Sequence, residues 1–155
     1  MGMRRLLNGL RNWCLPLPRV IPERGTQREY LLRWYLRRRV PGVYLHCAKR
    51  PDNDLALHSH PWRWSCALIL SGGYTEERLR DGRIISRELR PGSFMWLWSD
   101  DYHRIAELRS DESWSLFVTG PRVGAWHFLD RWTGRKCPSD RYIRAREGGF
   151  MIPWS

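Results

Sequence analysis

Lysine is nearly absent. Of the 27 basic residues only Lys49 and Lys136 are lysines, and the rest are arginines. Their surplus over 16 acidic residues gives a formal charge of +11, a balance that suits anionic partners in general. The arginines are scattered, however, with Arg37-Arg38-Arg39 the one run, so charge alone makes a weak case for nucleic acid. Cysteine is sparse too: Cys14, Cys47, Cys66 and Cys137 are too far apart for a zinc ribbon or a compact disulfide scaffold. Reduced thiols and a cytoplasmic location are the expectation. There is no long apolar run to span a membrane. The opening segment from Met1 to Leu17, broken by Arg11 and Asn12, lacks the continuous apolar core of a signal peptide. Also missing are a Gly-rich phosphate loop, a Gly-x-Ser-x-Gly elbow and a Cys-x-x-Cys pair.

What is present is short-period alternation. Leu6, Leu7, Leu10, Trp13, Cys14 and Leu17 recur at helical spacing, which predicts a short amphipathic helix ended by Pro16 and Pro18. A loop through Pro22 and Gly25 follows. From Arg28 the period becomes two. Strands are predicted over 28–37, 43–48, 55–60, 64–70, 74–79, 83–89, 93–98, 102–108, 114–119 and 122–129, separated by turn residues. Asp81-Gly82 is the strongest hairpin signal among them. Evenly spaced short strands predict one all-β sandwich or barrel. The division is a helix and loop over 1–27, the barrel over 28–129, and an irregular tail over 130–155, with at most one short helix, packed on the barrel.

The chemistry concentrates in histidine. His58-Ser59-His60 is followed by His103 after 43 residues. Residues two apart on a strand share a face, so two imidazoles would point the same way and a third would complete a metal-binding set. Imidazole suits iron, zinc and nickel. His46, on the preceding strand, reads as a contact to a ligand, a donor behind the metal ligands, or a structural histidine. His127 is expected to face outward. Asp100 and Asp101 precede His103 and could orient it, though Asp pairs are also ordinary turn residues. Arg104 and Arg122 are candidates for bidentate contact with a substrate carboxylate or phosphate, against the plainer reading of solvated strand edges. Trp96 and Trp98 share one face, as do Trp62 and Trp64; one pair could line a cavity mouth and stack on a flat substrate.

These residues resemble the cupin superfamily, whose motif one runs Gly, five residues, His-x-His, three or four residues, Glu, six residues, Gly. His58, His60 and Gly72 match it, with Asp52 for the opening Gly and Ser65 for the Glu. Motif two closes on a His eleven residues after a Gly, as His103 follows Gly92. Trp98 and Asp100 replace its Pro and Gly, and Glu107 its final Asn. The stretches HSHPW, LILSGGYTEE and RPGSF also look like those of small uncharacterised bacterial and phage cupins. The resemblance covers about residues 28–129 and implies an RmlC-like jelly roll, or double-stranded β-helix. It further implies a divalent metal on His58, His60 and His103, most simply Fe(II), with zinc, manganese or nickel also compatible. Loss of the carboxylate is similar to the three-histidine thiol dioxygenases. The activity implied is an Fe(II)-dependent oxygenase acting on a small molecule. The alternatives are a ligand-binding cupin without turnover and a sugar-nucleotide isomerase or epimerase. A homodimer is expected because cupins often pair through sheet edges. Cys66, one place off the Ser65 register, should face away from the metal.

Overall fold

The computed structural model describes residues 17–23 and 25–155. The helix expected before Leu17 lies outside them. Twelve strands form two antiparallel six-stranded sheets. The first runs in the order β1 (Arg19–Pro22), β2 (Glu29–Arg37), β3 (Gly42–Ala48), β10 (Ser113–Thr119), β5 (Trp64–Ser71), β8 (Phe94–Trp98). The second runs β12 (Lys136–Pro138), β11 (His127–Leu129), β4 (Leu57–His58), β9 (His103–Leu108), β6 (Tyr74–Arg80), β7 (Arg83–Leu89). This is the double-stranded β-helix, the cupin fold. From β3 to β6, and again from β7 to β11, the chain crosses to the other sheet at each step, so residues distant in sequence meet across the barrel.

Asp81 and Gly82 both take positive φ (49° and 72°), the backbone that a two-residue hairpin needs, and they join β6 to β7 in register from Arg80↔Arg83 to Tyr74↔Leu89. Gly72, at φ 76°, turns the chain from β5 to β6; a Cβ there would run into the Glu112 carbonyl. The inner faces of the sheets meet over Ala67, Ile69, Tyr74, Leu89, Met95, Leu97 and Phe117. On the far face of the first sheet, Trp34 stacks on Trp114 beside Leu32, Leu45 and Cys47.

Both ends of the barrel differ from the sequence reading. Arg19–Pro22, expected as loop, is a strand paired with β2, because an extended Arg-Val-Ile segment completes an otherwise open edge. Residues 122–129 keep only β11; the segment before it is irregular. The tail is more regular than expected: β12 pairs with β11, and α1 (Ser139–Gly148) packs Tyr142 flat on Phe128 with ring centroids 3.8 Å apart. Among the described residues no helix is long and apolar enough to cross a membrane.

Candidate metal centre

His58 ends the two-residue strand β4, and His103 opens β9 directly opposite it. Such cross-strand partners bring side chains on one face within about 5.5 Å at Cβ. The predicted strand through His60 stops early. Pro61 follows, and Ser59 instead engages β11, its N–H donating to the His127 carbonyl and its hydroxyl accepting from the His127 N–H. His60 nevertheless turns to the same point. The ring centroids of His58, His60 and His103 lie 4.9–5.3 Å apart, and one nitrogen from each falls within 4.8 Å of the others. The Nε2 atoms of His60 and His103 are 2.9 Å apart. Imidazoles sharing an ion at about 2.0–2.1 Å place their nitrogens about 3.0–3.4 Å from one another, so the separation already approaches that of a shared ligand set.

The environment favours neutral donors. Burial, the neighbouring His103 and the Arg33 charge together hold His60 well below the usual histidine range. Glu76, wholly buried on β6, accepts from Nδ1 of His103 at 2.8 Å and from Nε of Arg87 at 2.6 Å. With its Nδ1 proton engaged, a neutral His103 offers a lone pair at Nε2. Burial alone would push the Glu76 carboxyl up, but the His103 and Arg87 contacts outweigh it and hold the group below its ordinary value. A second carboxylate, Asp52 Oδ2, stands 4.0 Å from His58 Nδ1 and is fixed by the Ile105 N–H at 2.7 Å. Three converging imidazoles, one of them oriented by a buried carboxylate, fit a divalent transition metal.

The imidazoles open into a chamber of about 1050 Å³, whose wall also includes His46, Phe117, Trp62 and Met95. The proposed ligand-contact residues divide sharply. His46 lines the chamber, its Nε2 accepting from Arg33 Nε at 2.9 Å and its ring stacked on Phe117. Arg122 lines it with its side chain exposed. Arg104 does not: His103 and Ile105 take the inward positions of β9, and Arg104 turns away to Glu77 at 3.0 Å. Trp96 and Trp98 are also outside, 36% and 50% exposed, because Met95 and Leu97 occupy the buried phase of β8. Trp96 stacks on Trp64 instead. Asp101 binds Arg78, Arg80 and the Trp98 N–H rather than orienting His103. His127 stays out of the cluster. Ser65 is buried, but the β5 residue on the chamber wall is Ala67. Cys66, half-buried between the inward Ser65 and Ala67, faces away.

Glu76, Asp52 and Arg33 were missed in the sequence. Glu76 had a signal. Tyr74-Glu76-Arg78 is one phase of a strand, and charge on the buried phase requires a partner inside.

No protein-family model matches the chain, and no curated protein matches it. Solved structures do. Hydroxypropylphosphonic acid epoxidase from S. wedmorenis is similar at 12% identity over 66% of this chain, with a TM-score of 0.51; Fe(II)-HppE with (S)-1-HPP gives 0.52 at the same identity. The match spans 55% of the epoxidase chain. A protein from Ralstonia eutropha JMP134 assigned as a mannose-6-phosphate isomerase is 17% identical over 58% of this chain and 83% of its own, with a TM-score of 0.51. An uncharacterized conserved protein with a double-stranded β-helix domain from Klebsiella pneumoniae is 14% identical over 65% and 85%, also at 0.51. At these identities the likeness establishes the fold.

Proposed function

We propose that this chain is a metal-dependent enzyme of the cupin fold, with Fe(II) oxygenation of a small molecule as its reaction. The observation that carries this reading is the convergence of His58, His60 and His103, with Glu76 behind them, on the floor of a large chamber. A divalent ion would supply Lewis acidity and, as Fe(II), redox chemistry toward O2. The chain's own residues do the rest. Glu76 holds the Nδ1 proton of His103 and fixes its ring. Asp52 stands behind His58. Trp62, Phe117 and Met95 give the chamber an apolar wall beside the imidazoles, and Arg122 gives it a positive charge. With three neutral ligands the charge of the ion is not cancelled, which favours an anionic substrate.

The isomerase reading would make His103 a general base with Glu76 as its orienter. The contact between the His60 and His103 Nε2 atoms argues against it, because that nitrogen already faces a second imidazole. The thiols of Cys66 and Cys137 are free, which supports a reducing compartment such as the cytoplasm. A homodimer through an open sheet edge belongs to the same proposal, and sedimentation velocity would check it.

The test is anaerobic reconstitution with Fe(II), Zn(II), Mn(II) or Ni(II), metal quantification, and O2 uptake with a panel of small organic acids. Retained iron with substrate-dependent O2 uptake is expected. Retained metal without O2 uptake under any substrate would favour a ligand-binding protein, and no retained metal would end the metal reading.

A further inference from the structure

Arg33 sits in the middle of β2, on the face that looks into the chamber, while its neighbours Leu32 and Trp34 are buried on the opposite face. Packing of the first sheet thus rests on Leu32 and Trp34, not on this arginine. Its Nε donates to His46 Nε2, and its guanidinium carbon lies 5.4 Å from the Tyr44 ring centroid. Among the described residues it forms no ion pair with a carboxylate. Three acids share the chamber wall, and none pairs with it: Asp52 accepts from the Tyr30 hydroxyl and the Ile105 N–H, Glu23 accepts from the Thr26 hydroxyl, and Glu147 stands exposed on α1. Burial lowers the guanidinium from its usual value despite the nearby Tyr35 hydroxyl. A half-buried cation without a counter-charge is unfavourable unless an anion joins it.

The fork is also held. His46 engages Nε and the Tyr35 hydroxyl approaches the guanidinium, so an arriving carboxylate or phosphate would take the terminal N–H groups that these contacts leave over. The place is close to the metal centre. His46 and His60 both pack on Phe117, with ring centroids at 4.9 and 5.9 Å, so one aromatic side chain separates the arginine's partner from the imidazole set. Arg19 and Arg122, also on the chamber wall, add positive potential around the same space.

We propose that Arg33, held by His46, anchors an oxyanion of the ligand — a carboxylate, phosphonate or phosphate — while the rest of that molecule reaches toward His58, His60 and His103. The second half of this statement rests on the metal reading; capture of the oxyanion does not.

Inorganic phosphate, propionate and neutral propionamide would be titrated into metal-free and Zn(II)-loaded protein, following Arg33 and His46 side-chain resonances by NMR. Saturable shifts with phosphate, propionate or both, and none with propionamide, are expected in the metal-free protein; which anion binds tighter distinguishes a phosphoryl from a carboxyl ligand. Arg33→Gln should weaken that binding at least about tenfold and Arg33→Lys by less, because charge survives but the fork does not. Zinc content should be unchanged in both variants. Wild-type anion affinity in Arg33→Gln would overturn the proposal, as would the absence of saturation in the wild type up to about 50 mM of either anion, an affinity too weak for an anchor. If the wild type fails to hold zinc yet binds anions through Arg33, the metal reading falls and the anchor stands. If zinc is held and anion binding ignores Arg33, the reverse is true.

Discussion

Glu76 Oε1 lies 2.8 Å from Nδ1 of His103, with its other oxygen 2.6 Å from Arg87. A buried carboxylate thus stands between a cation and the ring whose far nitrogen faces His60 in the candidate metal centre. Glu76→Gln keeps the shape and removes the charge. It should lower metal affinity by about 10–100-fold, read from competition with a chromophoric chelator. Unchanged affinity would mean that His103 is oriented by its strand alone.

Removing one imidazole should do more. His58→Ala is expected to bring metal content after reconstitution to background, whereas His127→Ala, on the neighbouring strand but outside the cluster, should load like the wild type. Elemental analysis of both variants checks it. Equal loss in the two would place the ion elsewhere.

Acid should destabilise the metal-free protein. Burial, then Arg33 and His60, hold His46 well below the ordinary histidine value. The unfolded chain therefore takes up a proton near pH 6.5 that the folded chain refuses. Stability from this group is complete above that pH and falls as the pH drops below it, by at most about 1.4 kcal/mol per pH unit. His46→Gln retains an acceptor for Arg33 but cannot titrate, so its Tm should fall less between pH 7 and pH 5. A slope equal to that of the wild type would show that His46 charges freely.

Ser65 offers a test of register. It is 1% exposed, and its hydroxyl has no hydrogen-bond partner among the described residues. Ser65→Ala should leave metal content unchanged and keep or raise stability, by up to about 1 kcal/mol, since it removes an unsatisfied polar group. Denaturant unfolding would measure it; loss of metal on this change would put the hydroxyl in the ligand set after all.

The outer tryptophans should be silent. Trp98→Ala, changing a half-exposed ring away from the chamber, is expected to leave metal and anion affinity within about twofold, inside the usual range of surface substitutions. A larger loss by calorimetry would bring that face into the function.

The sequence made some of this legible and hid the rest for physical reasons. His58, His60 and His103 could be found because the chain has five histidines and three of them fall at specific spacings. Asp81-Gly82 could be found because few residues tolerate positive φ. The phase of β8 could not: Phe94, Trp96 and Trp98 are as apolar as Met95 and Leu97, so alternation reveals two faces without saying which is inside. Arg33 was hidden for the opposite reason. An arginine between Leu32 and Trp34 reads as the solvent side of a half-buried strand, whereas both faces of β2 are covered: one by tryptophan packing, the other by a chamber. Glu76 pairs with a histidine 27 residues away, a contact that only topology creates.

β4 is two residues long and meets β9 through the single pair His58↔His103. So brief a ladder ties β4, with β11 and β12 beyond it, to β9 and the rest of the second sheet by little hydrogen bonding. An ion held at once by His60 and His103 would therefore act as a cross-link, closing a loop of 43 residues. In polymer terms such a closure removes freedom from the unfolded chain on the order of 4 kcal/mol when permanent. A reversible clasp gives a share of this that grows with free metal. The melting temperature of this protein would then serve as a gauge of metal supply, and a chelator would loosen the barrel as well as silence its chemistry.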